Sequence, residues 1–324
     1  MTAQASKSDN SIKHHWWPIG LQKHWADSSG DVWSIDTKGR STKKKAKKSE
    51  FGHRRHGHTA LENTHWKTNF EALFQCADNS IEQVLFKLNF LKKKDLVISA
   101  LAKLSWKIVA RKVGFEDICD IHLIEEGLHR KLLLIICSLL VRSPASRFPY
   151  ESSHPLGDLP PDRNIEKLNL RQAFVYARDI CESGKIDHQA IVLMHCPEGR
   201  FIFGDGTLDE ITDTLHIGKL RGRALIPLTP KLCVYLRTQP VTGPTYNCAS
   251  LIATPWMINR VNEIVQIYSK DRLFYFGKPP SLSEYFLANQ FLQLNGPDPL
   301  LDFLDEVTAY CIQPRAIPAT VKPS

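Results

Sequence analysis

The sequence predicts an α+β fold with an N-terminal β-hairpin, a helical middle, late antiparallel strands and a C-terminal helix pair. Three observations carry this. The middle repeats its apolar residues at helical spacing, while the two flanks alternate them as strands do. The strands do not alternate with helices as parallel βαβ units would. Hydrophobic residues make up 43% of 324 residues and charged ones 23%, ordinary for a chain that buries a core.

In chain order, residues 1–12 are polar and aperiodic and read as a disordered terminus. The segment KHHWWPIGLQKHWAD follows. Next come DSSGD and DTKGR, each with Gly fourth, which suits a turn with left-handed glycine. Between them DVWSID reads as a strand. STKKKAKKSEFGHRRHGH has no apolar face and reads as an exposed loop or mobile edge. From Phe70 to Leu88 the apolar residues keep to one helical face, with Asp78-Asn79-Ser80 as a break and Ser80 with Gln83 as a cap of the second part. Further helices are expected at about 94–111, 117–141 and 164–183. QAIVLMH and RFIFGD read as a hairpin, and GRALIPL and KLCVYLR as further strands split at Thr229-Pro230. Thr254-Pro255 opens a helix running to about Asp271, and residues 281–293 form the second of the pair. The tail after Pro314 reads as loose. One domain is expected over 13–295, carrying a basic loop at 40–58 and a proline-rich link at 143–162, followed by a partly loose extension at 296–324.

The formal net charge of +8 is concentrated in one place. Between Arg40 and His58 eight Lys and Arg residues face only Glu50, so nearly all the excess lies there. Such a patch suits phosphates, through counterion release. Nucleic acid is therefore the expected partner of residues 40–58, through Lys43, Lys44, Lys45, Lys47, Lys48, Arg54 and Arg55. The bland alternative is a solvated basic loop. The longest apolar run is too short for a membrane span, so no membrane partner is expected. With no secretory signal visible at the start of the sequence, the expected location is cytoplasmic. Eight cysteines without C-x-x-C spacing read as free buried thiols. No Gly-rich phosphate loop, G-x-S-x-G elbow or H-E-x-x-H is present, so NTPase, α/β-hydrolase and metalloprotease readings lose support.

Three groups could carry chemistry. His14 and His15 are adjacent, so in an extended segment they face opposite ways. Either they tie down the chain, with Trp16 and Trp17 as core, or one of them acts as a base. A histidine three or four residues before a proline and a hairpin is loosely similar to the first motif of ββα-metal nucleases, whose further ligands would have to be Asn63 and His65, at poor spacing. His53, His56 and His58 could hold a metal, but two arginines stand among them. Asp205, between Gly204 and Gly206 at a strand end, either meets a ligand at close range or turns the chain. Asp117, Asp120 and His122 are lesser candidates, and Arg142 needs no role beyond a cation at a helix end.

HHWWPIGLQKHWAD followed by GDVWSID resembles the opening of the bacterial domain-of-unknown-function family 4238. NFEALFQCADNSIEQVL, FIFGDGTLDEI with ALIPLTPKLCVYL, and INRVNEIVQIYSKDRLFY are similar to later stretches of it, so the resemblance spans about residues 13–278. In many relatives the Asp precedes Asn-Pro, where this chain has Gly206 and Thr207. By position the resemblance puts His14, His15, Pro18, Lys23, Asp205 and Asn262 in the family's motifs, and it implies the layout more than any reaction.

The expected function is that of an uncharacterised protein acting on or binding nucleic acid. In the catalytic version it is a metal-assisted hydrolase, with His15 and Asp205 catalytic and His14, Lys23, Asn262 and the basic residues on the substrate. The hairpin at 14–40 and the strands at 189–237 are expected to share one sheet, which would bring His15 near Asp205. The alternative is a non-catalytic module that contacts an acidic partner through the basic loop. The sequence assigns no metal, cofactor or protein partner.

Overall fold

The computed structural model describes residues 13–46, 51–62, 65–91, 115, 118–146, 163–183, 189–239, 247–291 and 296–312. It is an α+β protein. The strands are β1 Lys13–His15, β2 Asp31–Asp36, β3 Ser41–Lys45, β4 His53–Arg55, β5 Thr59–Glu62, β6 His65–Asn69, β7 Cys119–Leu123, β8 Gln189–His195, β9 Phe203–Gly204, β10 Leu208–Asp209, β11 Arg223–Thr229, β12 Leu232–Thr238, β13 Asn247–Ile252 and β14 Arg272–Tyr275. The helices are α1 Ile19–Gln22, α2 Gln75–Asp78, α3 Ile81–Asn89, α4 Glu126–Arg142, α5 Arg163–Glu182, α6 Thr212–Leu215, α7 Pro255–Tyr268, α8 Glu284–Leu287 and α9 Pro299–Ile312, with 3-10 turns at Lys23–Trp25 and Glu71–Phe74.

A six-stranded sheet in the order β10-β11-β12-β8-β13-β7 forms the centre. Its strands run antiparallel except for the parallel pair β8–β13. Both faces are covered, which explains why QAIVLMH is apolar without alternation. Ile191 and Leu193 join one cluster with α4 and α5, through residues such as Leu132 and Phe174. Ala190, Val192 and Met194 join another with α7 and α9, through Val261, Leu300 and Leu304. Helix α4 is buried on nearly all sides from Leu132 to Arg142, as a helix apolar all round must be.

A second sheet, β3-β2-β14-β9, holds the N-terminal hairpin. The β2–β3 turn uses Gly39 at φ 72°, as the Gly spacing predicts. Aromatic side chains fasten this sheet to the opening segment. Trp17 is fully buried and stacks on Phe203 at 4.6 Å and Phe274 at 4.5 Å. Trp25 donates its indole N–H to the Leu228 carbonyl. The two tryptophans that follow His15 therefore belong to the core or pack against it. Gly52, at φ 67°, lies so close to Trp17 that a Cβ there would come within 3.0 Å of it, and its carbonyl accepts from the amides of both Trp16 and Trp17.

Several sequence expectations are corrected. The segment expected to be helical from 117 begins as strand β7, because it pairs with β13, and the helix starts only at Glu126. QAIVLMH and RFIFGD do not pair with each other: β8 lies between β12 and β13, and β9 pairs with β14. The basic segment is not a loop throughout, since β3 is an exposed edge strand and β4 pairs with β1; lysines on an edge strand also discourage unwanted pairing. Ser80 does not cap α3 and instead donates to the Cys76 carbonyl. Thr254 does cap α7, accepting from the Met257 amide. Among the described residues of the stretch 281–293, which are 281–291, only Glu284–Leu287 is helical, and α9, within the stretch read as an extension, packs on the central sheet through buried Leu300, Leu304 and Val307. The expected helix at 94–111, the link from 147 to 162, the terminus 1–12 and the tail after Pro314 lie outside the described residues.

Candidate metal centre

The opening histidines sit on β1, a three-residue strand paired only with β4 in a two-stranded ribbon. His14 and His15 point to opposite faces, as adjacent strand residues must. His14 is buried and stacks on buried His58, with ring centroids 5.4 Å apart. The His58 amide donates to Nδ1 of His14 at 2.7 Å. His58 Nδ1 in turn contacts Oε2 of Glu71, from the 3-10 turn that follows β6. One ligand atom from each of His14, His58 and Glu71 lies within 4.8 Å of the others. Three separate elements build this cluster, and the tight turn at His56, with φ 53°, brings His58 back beneath His14.

Glu71 is the member nearest to solvent, with its side chain 26% exposed. Burial pushes its carboxyl above the usual range, against the attraction of Arg142 and of His14 and His15. On the other face of the ribbon His15 is half-buried. Burial lowers its pKa, against the attraction of Glu71, and so favours the neutral imidazole. The His15 amide donates to Oε1 of Glu71 at 3.3 Å, so this carboxylate touches both ends of the cluster.

Around the cluster the charges are matched. Arg142 is fully buried and is more than a helix-end cation. Its guanidinium holds Asp78 through two bonds of 3.1 and 2.6 Å, donates to the His15 carbonyl, and lies over the Phe74 ring. Lys167 donates from α5 to the Gly57 carbonyl, and Arg54 faces Glu166 at 3.6 Å.

The other predicted site residues do not gather here. Asp205 is buried, and its carboxylate accepts from the amides of Lys270 and Asp271 at 2.8 and 2.9 Å. Burial raises its pKa to about 7, against those amides. The glycines beside it do not take positive φ. They are there because a Cβ on Gly206 would meet the Tyr268 carbonyl at 1.9 Å and one on Gly204 the Ser269 hydroxyl at 1.8 Å. Asp205 thus has a structural task, clamping the α7–β14 turn. The hairpin strands β2 and β3 do share a sheet with β9, the strand before Asp205, through β14, as expected, but β1, which carries His15, lies in the separate ribbon.

Asn262 is also structural: its amide accepts from the Ile202 amide and donates to the Arg200 carbonyl, at one wall of a groove of about 830 Å³. Lys23 lies exposed on the opening helical turn. Lys43 and Lys45 flank Asp31 at 3.6 and 2.9 Å, and Arg40 pairs with Asp36, so acids of the same hairpin temper the basic patch. Lys44 lies on exposed β3, and Arg55 is the exposed residue of the half-buried strand β4. Lys47, Lys48, Asn63 and Asp117 lie outside the described residues. His53, His56 and His58 do not converge on one another. His122 instead bonds Ser250 across β7 and β13.

Sequence reasoning missed Glu71, Asp78 and Lys167. Nothing local marks them, since each acts on a residue far away in the chain. None of the described helices is long and apolar enough to cross a membrane. No family model, curated protein or solved structure matches the chain.

Proposed function

We propose that this chain binds a divalent transition-metal ion between His14, His58 and Glu71 and is a metal-assisted hydrolase of nucleic acid. One observation carries the reading: two buried histidines and a carboxylate, drawn from three elements, converge within 4.8 Å. Two imidazoles and one carboxylate make a donor set typical of catalytic zinc, which leaves a position open for water. His14 and His58 supply neutral nitrogens, and Glu71 brings the negative charge and the solvent-facing side. An ion bound through Nδ1 of His14 would compete there with the His58 amide, whereas one bound through Nε2 would not. Losing that hydrogen bond costs about 1–3 kcal/mol, small beside the roughly 10 kcal/mol or more of well-formed zinc sites. Exposed cations of β3 and β4, Lys43, Lys44, Lys45 and Arg55, would meet the phosphates. Membership of family 4238 is likewise a proposal, resting on the His-His-aromatic opening and the later similar stretches.

A second reading keeps the ion without the chemistry. The burial of His14 and His58 favours it, since an ion would then fasten the ribbon to the turn at 71–74, and the chain would be a binding module. Metal analysis after equilibration with Zn²⁺ and removal of the excess tests the shared premise: at least one tightly held ion is expected, lost in His58→Asn. Hydrolysis of single- and double-stranded DNA and RNA then separates the two readings. Metal-dependent cleavage, abolished in Glu71→Gln, supports the first; binding without cleavage supports the second. A wild-type chain that retains no ion refutes both.

A further inference from the structure

A groove of about 830 Å³ runs along α7. Phe201 and Ile258 line it and belong to the cluster around α7 and α9, whereas His58 packs on Phe70 and Phe74 of the cluster around α4 and α5. The groove and the candidate metal centre are therefore separate places. Amide side chains of α7 hold both walls of the groove. Asn262 ties down the 200–202 segment, and Gln266 donates to the Ser281 carbonyl while accepting from the Ser283 amide. Walls pinned in this way are formed before a ligand arrives, which lowers the ordering cost of binding.

The groups left open on the lining are of particular kinds. Phe276 is 40% exposed. Among the described residues its ring has no aromatic neighbour, and the side chains of Asn259 and Lys278 have no hydrogen bond or ion pair. The other charges of the lining are matched, Glu198 by Arg200 and Glu263 by Arg260. The charge left over is thus that of Lys278, which follows Phe276 across the turn at Gly277, with φ 77°. An open ring face, an ammonium group and an amide with both donor and acceptor complement the face, the phosphate and the edge of a nucleotide. A peptide that binds by strand addition needs free main-chain partners, and this wall has used many of its own. The amides of Gly199, Phe201 and Ile202 already donate, and the carbonyls of Arg200 and Ser281 already accept. Pro279 and Pro280 carry no N–H. The groove also adjoins the basic hairpin. Tyr275, part of its lining, is the cross-strand partner of Trp33, and Lys43 lies over the Trp33 ring at 5.3 Å.

We propose that the groove along α7 binds single-stranded nucleic acid, with a base stacked on Phe276, a phosphate at Lys278 and the base edge at Asn259. Paired and stacked bases of a duplex offer no free face to Phe276, whereas the splayed bases of a single strand do. This inference rests on the nucleic-acid part of the proposed function and not on its metal ion, and it names single strands as the substrate class.

The test is fluorescence anisotropy of the full-length chain with a short fluorescein-labelled single strand of mixed sequence, and with the same sequence as a duplex. Both are run at two salt concentrations and in EDTA, so that no cleavage intervenes. Wild type is expected to bind the single strand more tightly than the duplex. Phe276→Ala should weaken single-strand binding roughly 5- to 150-fold, the range for losing one stacked base, and Phe276→Trp should keep it. Lys278→Gln should lower the slope of log affinity against log salt by about 0.7, the value for one single-strand phosphate. Far-ultraviolet circular dichroism checks that each variant folds. Single-strand binding that is unchanged in Phe276→Ala but falls in Lys43→Gln with Lys45→Gln overturns the groove and leaves the nucleic-acid reading standing; a groove that takes a peptide instead would give this result. Duplex binding as tight as single-strand binding also overturns the proposal. No binding of either nucleic acid by wild type overturns the groove and the nucleic-acid reading together.

Discussion

Two buried polar regions of this molecule both read as candidate sites in the sequence and differ in physics. At the α7–β14 turn, Asp205 places each carboxylate oxygen on a backbone amide. At the β1–β4 ribbon, ring nitrogens of His15 and His53 are buried with no partner among the described residues. A satisfied buried group is explained by the fold that satisfies it. An unsatisfied one needs a ligand, a strain or a reaction to account for it. This contrast moves the candidate site away from Asp205 and onto the histidine ribbon. Helix α4 joins the two regions at its C-terminal end, where Arg142 holds the His15 carbonyl and the Ser143 hydroxyl donates to the Asp205 carbonyl.

That junction gives the largest expected effect. Arg142→Ala removes a fully buried guanidinium and its bonds to Asp78, Ser138 and His15. Breaking a buried pair in this way costs about 3–5 kcal/mol, readable as a shift in urea midpoint. A loss below about 1 kcal/mol would mean that the two regions do not depend on α4.

Gly206→Ala comes next. The new methyl meets the Tyr268 carbonyl and the Ala145 side chain, and overpacking of this kind costs about 1–3 kcal/mol. Unchanged stability would undo the structural account of Asp205 and reopen a ligand role for it.

A pH-dependent effect follows from the Asp205 carboxyl itself. Its folded pKa of about 7 lies above the ordinary aspartate value of 3.8, so between those values the native state holds a proton that the unfolded state releases. Its contribution to stability is therefore complete below about pH 4 and is lost as the pH rises to about 7. The slope cannot exceed one proton, at most ~1.4 kcal/mol per pH unit. In Asp205→Asn that part of the slope should vanish, as urea midpoints measured across pH 4–8 would show. A slope equal to that of wild type would assign the titration to another group.

The smallest effect belongs to the basic hairpin. Lys43→Gln with Lys45→Gln breaks exposed pairs with Asp31 and should change stability by less than about 1 kcal/mol. Nucleic-acid affinity at low salt should fall in the same variant, as fluorescence anisotropy at two salt concentrations would show. Unchanged affinity would remove these two lysines from the nucleic-acid surface.

The class of the fold, the strands DVWSID, GRALIPL and KLCVYLR, and the helices at α5 and α7 follow from local pattern, because period, turn glycines and the Thr254-Pro255 cap act within a few residues. The opening aromatics could also be read as core from their composition alone. Long-range pairing decided the rest. CDIHL becomes a strand by pairing with NCASLI, and QAIVLMH lies between β12 and NCASLI instead of beside its sequence neighbour. The site divides in the same way. The sequence alone marks His14, His15 and the histidines at 53 and 58 as unusual. Only the tertiary structure sorts them onto two faces of one ribbon, sets Glu71 between those faces, and closes Asp205 against backbone amides. Partners 13 to 66 residues apart leave no local signature, since the contacts that define them exist only once the chain has folded.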